Sequence, residues 1–298
     1  MTSGAEPIRP SFARRLATAL YRRPRLQLGL LLAPPVGALV IAYLGSLALL
    51  LVNAFWRFDA FTGSVVTTPT LDNFSQIVTT SVFRDVAVRT ILTAAAVTVT
   101  DALVAFPMAY FMARVAPRRT RNVLLVAVVL PLWSGYLVKV YAWRLILLND
   151  GFADSVLAPF GLHGPGLSQI SAWIVFSYLW LPYMILPIYA GLERIPGSLL
   201  EASGDLGARA VTTFRRVILP LTLPAVVAGS IFTFSLTLGD YVTPRLVAGG
   251  TQFIGNVVYD NIGVVGNVPL AAAYATVPIL VMLVYLLLAR RTGAFESL

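Results

Sequence analysis

Long apolar runs alternate with short polar segments along most of this chain. The hydrocarbon core of a bilayer is about 30 Å thick, and roughly 20 consecutive apolar residues of α-helix are enough to cross it. Six runs reach that length, at about residues 30–55, 86–113, 122–147, 169–193, 221–243 and 269–289. The pattern therefore predicts an all-α integral membrane protein with about six transmembrane helices.

Arginines cluster in the polar segments at one face of the predicted membrane. Cytoplasmic loops carry an excess of lysine and arginine, so these clusters predict that both the N- and C-termini are cytoplasmic. The long segments at the opposite face contain only Arg57, Arg84 and Arg245. The clustered residues are Arg9, Arg14, Arg15, Arg22, Arg23, Arg25, Arg114, Arg118, Arg119, Arg121, Arg194, Arg209, Arg215, Arg216, Arg290 and Arg291.

The basic N-terminal residues precede an uncharged apolar stretch that runs from Leu26 to Trp56. This stretch is longer than the apolar region of a signal peptide, so we expect an uncleaved membrane anchor. We predict a basic cytoplasmic segment at residues 1–26, one transmembrane domain at residues 27–290 and a cytoplasmic tail at residues 291–298.

The composition supports a membrane protein and disfavours several kinds of chemistry. Hydrophobic residues make up 58% of the chain and charged residues 12%, against roughly 25% charged residues in a soluble domain. The net charge of +9 arises from arginines between apolar runs, so we expect no nucleic-acid partner. The chain contains no cysteine and a single histidine, His163. A disulfide framework is therefore excluded, and we predict neither a metal site nor a catalytic site.

The polar segment at residues 195–208 has the signals of a short helix with defined ends. Pro196 and Gly197 would end the preceding span, and Ser198 with Glu201 three residues later matches a capping box. Gly207 suits the left-handed position that ends a helix. Two interpretations fit this chemistry equally well, an amphipathic helix on the membrane surface and a helix that docks into a partner protein.

A longer pattern distinguishes between these interpretations. Glu201-Ala202-Ser203, Gly207, Phe214, Leu219-Pro220-Leu221 and Pro224 resemble the EAA loop of permeases in type I ATP-binding-cassette importers, with Ser203 in place of the usual alanine. The resemblance implies the permease fold of that family and a coupling helix, within a loop at about residues 195–220, that docks into a separate ATPase. The residues it assigns to ATPase coupling are Ser198, Glu201, Ala202, Ser203, Asp205, Gly207 and Phe214.

The sequence has no nucleotide site of its own. A P-loop ends in Gly-Lys-Ser/Thr, and the only lysine, Lys139, follows Val138 inside an apolar run. We therefore expect a transporter subunit and not an enzyme, with no cofactor bound by this chain and ATP-Mg bound by the partner ATPase. The family resemblance implies a second permease subunit, two ATPase subunits, an extracytoplasmic substrate-binding protein and a location in the bacterial inner membrane.

Three further segments resemble the spermidine/putrescine permease family, and the resemblance covers roughly residues 30–290. It implies polyamine import, although permeases for ferric iron, thiamine, opines and other organic cations share much of the pattern. A membrane scaffold or receptor is a further alternative. The segments are residues 138–143, residues 181–187 and residues 238–247, and Lys139 stands where arginine is expected in the family.

A pathway for an elongated cation should offer carboxylates and aromatic faces. Charged groups at the centre of a span cost roughly 2.5–3.5 kcal/mol each, so each needs an explanation. Asp101 and Lys139 either face substrate or form an interhelical ion pair. Asp240 either faces substrate, pairs with Arg144 or Arg245, or caps a broken helix. The predicted pathway residues are Asp101, Lys139, Tyr141, Trp143, Trp180, Asp240 and Tyr241.

Overall fold

A computed structural model describes residues 24–293 of the chain. The chain divides into two units, residues 1–53 and residues 54–298. Most of the predicted basic segment at residues 1–26 and most of the predicted tail at residues 291–298 lie outside the described residues. The whole predicted transmembrane domain, residues 27–290, lies within the described residues.

The described part of the first unit is one continuous helical stretch. Helix α1 spans Pro24–Ala38 and contains Pro34 and Pro35, which each lack a backbone donor. The chain continues through π-helical turns at Leu39–Leu44 into helix α2, Gly45–Asn53. Residues Leu28–Asn53 are long and apolar enough to cross a membrane, in agreement with the first predicted span.

The second unit is mainly helical, in agreement with the predicted all-α class, and it contains one short β-hairpin. Strands β1 and β2 pair antiparallel, with Asp59 opposite Ser64. In chain order the elements are β1 (Arg57–Asp59), β2 (Ser64–Val66), α3 (Asp72–Thr79), α4 (Ser81–Tyr110), α5 (Arg118–Trp133), α6 (Tyr136–Leu147), α7 (Phe152–Leu157), α8 (Gln169–Glu193), α9 (Gly197–Asp205), α10 (Ala210–Thr213), α11 (Leu219–Gly239), α12 (Val242–Val247), α13 (Ile254–Asp260) and α14 (Val268–Arg290). Further π-helical turns occupy Phe111–Val115, Phe214–Ile218 and Asn261–Val265, and a 3₁₀ turn occupies Ala158–Phe160.

The membrane spans agree with the apolar pattern, and the third is bent. Besides the first span, the described residues contain four helices that could cross a membrane, Ser81–Val115, Gln169–Glu193, Ala210–Gly239 and Val268–Arg290. The predicted third span, residues 122–147, is instead the pair α5 and α6, bent by 95°. The described chain therefore has five spanning helices, or six if the bent pair counts as one.

The bend between α5 and α6 has a local cause. Ser134 and Gly135 adopt extended backbone conformations, with ψ of 145° and 135°, which interrupts the helix three residues after Pro131. The freed carbonyl of Pro131 accepts hydrogen bonds from the Ser134 hydroxyl at 2.9 Å and from Lys139 Nζ at 3.1 Å. These two side chains thus supply hydrogen bonds to a carbonyl at the helix break. Backbone groups at a break within a membrane need such partners, because lipid offers none.

Helices α4, α8 and α11 pack against one another and form the core of the second unit. Two glycines allow α8 and α11 to approach closely. A Cβ added at Gly191 would lie 2.5 Å from Ala225 Cβ, and one added at Gly229 would lie 2.9 Å from Met184 Sδ. Small residues at such crossings are typical of membrane helix pairs, because van der Waals packing replaces the hydrophobic effect there.

Candidate functional site: coupling loop and interior polar groups

The loop between α8 and α11 contains the predicted coupling helix, which is α9. The predicted capping box is wrong. Helix α9 begins at Gly197, with Pro196 at the N-cap position and no side-chain cap. The extended conformation of Pro196 starts the helix two residues earlier than predicted, so Ser198 lies inside the first turn, where its hydroxyl is misplaced for capping.

The C-terminus of α9 has the predicted geometry. Gly207 has a φ of +74°, its N–H donates to the carbonyl of Gly204 at 2.8 Å, and the N–H of Ala208 donates to the carbonyl of Ser203 at 3.1 Å. These two bonds are those of a Schellman motif, which satisfies carbonyls at a helix end. A positive φ favours glycine, and this confirms the conformation predicted for Gly207.

The predicted coupling residues face two directions. Glu201, Ala202 and Asp205 are exposed, so their side chains are available to a partner. By contrast, the Ser203 hydroxyl hydrogen-bonds that of Thr213 at 2.8 Å, and the Phe214 ring packs edge-on against Phe106, with 5.5 Å between centroids. Ser203 therefore joins α9 to α10, and Phe214 holds the loop against α4.

Leu206 is the most exposed apolar side chain of the loop, at 89%. It follows directly on the last residue of α9, beside Asp205 and Gly207. An exposed apolar side chain at the end of a short helix is the kind of anchor that a hydrophobic groove in a partner protein can accept. With Ala202, Ser203 and Gly204, Leu206 forms the small, near-apolar face that the sequence predicts for entry into a groove of a partner.

Two arginines attach the start of this loop to neighbouring helices. Arg114, in the turns that follow α4, donates from Nη2 to the carbonyls of Leu192 and Ile195, the latter at 2.6 Å. Arg121 on α5 forms a salt bridge with Glu193 at 3.2 Å, and the Tyr189 hydroxyl also donates to Glu193. Arg114 thus fills the role of a cation at a helix C-terminus, where the last carbonyls lack partners.

Arg114→Ala is expected to reduce transport per ATP hydrolysed by about tenfold, because two charge-assisted hydrogen bonds of about 1.5–3 kcal/mol each hold the loop to α4. The exposed face of α9 is unchanged, so the ATPase partner that the family resemblance implies should still bind. The measurement is the ratio of uptake to hydrolysis in proteoliposomes. Arg119→Ala, which removes an exposed neighbouring arginine, should match the unaltered protein, and an unchanged ratio for Arg114→Ala would contradict the expectation.

Asp240 lies at the break between α11 and α12, where it caps the shorter helix. Its Oδ1 accepts from the N–H of Val242 at 2.8 Å and from that of Thr243 at 3.2 Å. Its Oδ2 accepts from the Thr243 hydroxyl at 2.7 Å and from the Tyr136 hydroxyl. Of the alternatives considered for Asp240, the helix cap is the one that the structure contains.

The predicted arginine partners of Asp240 are elsewhere. Arg245 forms a salt bridge with Asp260 at 2.8 Å, and the guanidinium of Arg245 lies 5.1 Å from the centroid of the Tyr259 ring. Among the residues that the structure describes, the two salt bridges are those of Arg121 and Arg245, so the proposed pair with Arg144 is also absent there.

The ion pair considered for Asp101 and Lys139 is likewise not formed. Lys139 instead donates to the carbonyl of Pro131 at the bend. Asp101 is 0% exposed, and neither of its carboxyl oxygens has a hydrogen-bond partner among the described residues. The sequence placed Asp101 correctly inside the membrane domain, but the packing that leaves it unpaired depends on how α4 and α8 meet.

The predicted aromatic residues separate into different surroundings. Trp180 stacks on Tyr136, with 6.2 Å between centroids and 13° between planes, while Trp143 packs on Tyr178 at 5.2 Å. Tyr241 stacks on Tyr259 at 4.7 Å. The structure therefore brings together Asp240 and Trp180, through Tyr136, which was not in the predicted set. Tyr141 is 52% exposed and lies outside the group formed by Asp240, Tyr136 and Trp180.

The predicted outer loop between α7 and α8 is ordered by a carboxylate. Asp154 accepts from the N–H of Asp150 at 2.7 Å and from that of Gly164. These backbone donors, followed by the nearby His163, lower the pKa of Asp154 because they favour the charged carboxylate. Asp154 therefore holds the segment that contains the single histidine.

Comparison with known proteins identifies the family. Residues 105–293 match the family described as "Binding-protein-dependent transport system inner membrane component". The chain is 45% identical to the inner membrane ABC transporter permease protein YdcU of Escherichia coli strain K12 over 307 residues, covering 98% of this chain and 97% of that protein. It is 30% identical over 259 residues to the spermidine/putrescine transport system permease protein PotB of Salmonella typhimurium strain SL1344, covering 85% and 89%.

A solved structure supports the fold. The chain is similar to a chain from the crystal structure of a bacterial alginate ABC transporter in complex with an alginate pentasaccharide-bound periplasmic protein. The TM-score is 0.71 with 16% identity, and the match covers 95% of this chain and 98% of that one. Together with the apolar spans and the ordered loop at α9, these matches show that the chain belongs to the family of binding-protein-dependent transport system inner membrane components, and it is a multi-pass inner-membrane permease of an ATP-binding-cassette importer.

Proposed function

We propose that this permease imports polyamines such as spermidine and putrescine, driven by a separate ATPase that docks on α9. The observation that carries the substrate class is the relationship to PotB proteins named for spermidine/putrescine transport, which extends over 85% of this chain. A second PotB, from Escherichia coli strain K12, is 30% identical over 75% of the chain. The unpaired carboxyl of Asp101 adds support, since a pathway for cations should contain carboxylates.

The proposed assembly contains a second permease subunit, two ATPase subunits that bind ATP-Mg, and an extracytoplasmic binding protein. Relatives support this composition, because similar proteins are named both PotB and PotC, and one structural neighbour was crystallised with a periplasmic protein. The chain itself has no P-loop sequence, so the nucleotide site would belong to the partner. No cofactor of this chain takes part in the proposed function.

The proposed mechanism is alternating access. ATP-bound ATPases would hold one permease conformation more tightly than the other, and this difference in affinity would shift the equilibrium between them. Force applied to Glu201, Asp205 and Leu206 on α9 would reach α8 through the chain itself. It would reach α4 through Arg114, whose side chain joins the two helices.

Uptake from a defined set of substrates tests the polyamine assignment. The full complex, reconstituted with its ATPase and binding protein, should accumulate radiolabelled spermidine or putrescine in an ATP-dependent and saturable manner. Unlabelled polyamines should compete, whereas thiamine, opines and ferric complexes should not. Uptake of one of those compounds without uptake of polyamines would contradict the assignment and favour the corresponding relative.

Glu201→Ala tests the docking of the ATPase. Glu201 is exposed on α9 and makes no capping bond, so its loss should weaken ATPase binding by several fold without unfolding the loop. The measurement is the amount of ATPase that co-purifies with the permease. Asp72→Ala removes an exposed acid at the predicted outer face and should have no effect. Full retention of ATPase and full transport by Glu201→Ala would exclude this residue from the docking surface.

A further inference from the structure

We propose that Asp101, Ser177 and Trp180 form an inner binding site for a primary ammonium group of the cargo. The proposal rests on the function proposed above, because it names the group of the substrate that the site takes. It also assigns the order of the pathway, with Tyr136 and Asp240 toward the predicted outer end and Asp101 deeper in the bundle.

The first observation is that the carboxyl group of Asp101 is buried without a hydrogen-bond partner among the described residues. Its side chain is fully buried on α4, one turn from Val97 and one turn from Ala105, which are also fully buried. A carboxyl group among apolar side chains is unfavourable unless it is paired or hydrogen-bonded. Among the described residues, no lysine or arginine pairs with it and no donor bonds to it. Asp101 therefore lacks, among residues 24–293, the charged partner and the hydrogen bonds of normal geometry that a buried carboxylate requires.

The second observation is the clustering of unsatisfied groups. In residues 24–293, the buried side-chain nitrogen and oxygen atoms without a partner are both carboxyl oxygens of Asp101, the Ser177 hydroxyl and the Trp180 indole nitrogen. Ser177 and Trp180 are three residues apart on α8, so they share one face, and α8 packs against α4. The Ser177 hydroxyl approaches the Asp101 carboxyl without a hydrogen bond of normal geometry.

These groups have the chemistry to hold an ammonium ion. An ionised carboxylate accepts several hydrogen bonds, an ammonium donates three, and a hydroxyl does both. With the ammonium bound to Asp101, the neighbouring Ser177 hydroxyl can donate to a remaining lone pair of the carboxylate. The Trp180 ring, three residues further along the same face of α8, offers the cation an aromatic face.

A metal cation fits the same groups less well. Magnesium prefers six oxygen ligands in octahedral geometry, and calcium takes six to eight. The cluster offers the oxygens of Asp101 and Ser177, and its third member, Trp180, contributes a donor and an aromatic face. Aromatic faces attract organic ammonium groups, so the cluster favours an organic cation over a metal ion.

The third observation is a continuous connection to the outer end of the bundle. The Trp180 ring stacks on Tyr136, and the Tyr136 hydroxyl contacts both Asp240 and Thr243. Trp180 and Tyr136 thus connect the face of α8 that contains Ser177 to Asp240 at the α11–α12 break. An elongated molecule with several ammonium groups matches this arrangement, because one end can bind Asp101 while the chain lies along the rings.

Asp101→Asn in the reconstituted complex tests the site. Asparagine has nearly the same shape, and no ion pair is lost, so the thermal stability and the amount of bound ATPase should not change. We expect the KM for spermidine and putrescine to rise by about tenfold or more, since a charge-assisted hydrogen bond is lost. Asp101→Glu should recover part of the affinity, and Trp180→Phe, which keeps a ring but removes the N–H, should raise the KM by a smaller factor.

Asp85→Asn is the matched control, because it makes the same change at an exposed position on the same helix, and it should leave the KM unaltered. An unchanged KM for Asp101→Asn would overturn the proposed site while polyamine uptake by the unaltered complex still supported the proposed function. A fall in thermal stability or in bound ATPase for Asp101→Asn would assign this residue a structural role and also overturn the site. If the unaltered complex takes up no organic cation, both proposals fail.

Discussion

Leu206→Asp is expected to prevent stable binding of the ATPase and so to abolish transport, while the permease remains folded in the membrane. The Leu206 side chain is 89% exposed and would be covered when a partner binds around α9. Burial of a leucine side chain contributes about 1.5–3 kcal/mol, and a buried unpaired aspartate adds a further cost. The loss therefore corresponds to at least a tenfold to hundredfold weaker complex.

The measurement for Leu206→Asp is binding of the purified ATPase to the permease in detergent, together with uptake in proteoliposomes. Leu162→Asp is the matched control, because Leu162 is also exposed, at 57%, but lies in the predicted outer loop. This control should bind the ATPase normally. ATPase binding that is equally strong in Leu206→Asp would show that the partner does not contact the end of α9.

Gly229→Val is expected to lower the thermal unfolding midpoint of the permease by about 5 °C, the largest effect on stability that we predict. A Cβ at this position would lie 2.9 Å from Met184 Sδ, 3.2 Å from Met184 Cα and 3.3 Å from the Met184 carbonyl oxygen. Backbone atoms cannot move aside as a flexible side chain does, so α8 and α11 must separate. Overpacking of this kind costs about 3 kcal/mol, which gives the expected shift for a chain of this size.

Gly239→Val provides the comparison within the same helix. Nothing lies within 4 Å of a Cβ added at Gly239, so valine there should leave the unfolding midpoint almost unchanged. Both midpoints can be followed by the loss of monodisperse permease on heating in detergent. Equal midpoints for the two variants would contradict the close crossing of α8 and α11 at Gly229.

The coupling loop and the interior polar groups are connected through α8. The start of α9 follows directly on α8, Arg114 joins the end of α8 to α4, and the same helix contains Ser177 and Trp180. A displacement of α9 by an ATPase would therefore reach the two helices that enclose Asp101. This connection gives a physical route by which docking at one end could change access to a site in the middle of the bundle.

Features that depend on neighbouring residues were predicted well from the sequence. Apolar runs of sufficient length predicted the spanning helices, and the positive φ of Gly207 follows from the preference of glycine for that conformation. The cap at Ser198 was wrong even though it is local, because Pro196 takes the N-cap position and starts α9 earlier. The bend in the third span was not predicted, because it depends on the backbone at Ser134 and Gly135, which interrupts an otherwise apolar run.

The sequence by itself determined that this protein crosses a membrane through several helices and exposes an ordered helix in an arginine-rich loop. Apolar length, arginine position and turn chemistry each act over a few residues, so they can be seen without a structure. Only the tertiary structure decided that Asp101 is unpaired, that Tyr136 links Asp240 to Trp180, and that Arg114 holds the end of α8. The Arg114–Leu192 and Tyr136–Asp240 contacts join residues 78 and 104 positions apart, and all of these contacts depend on how each helix is rotated and packed against its neighbours.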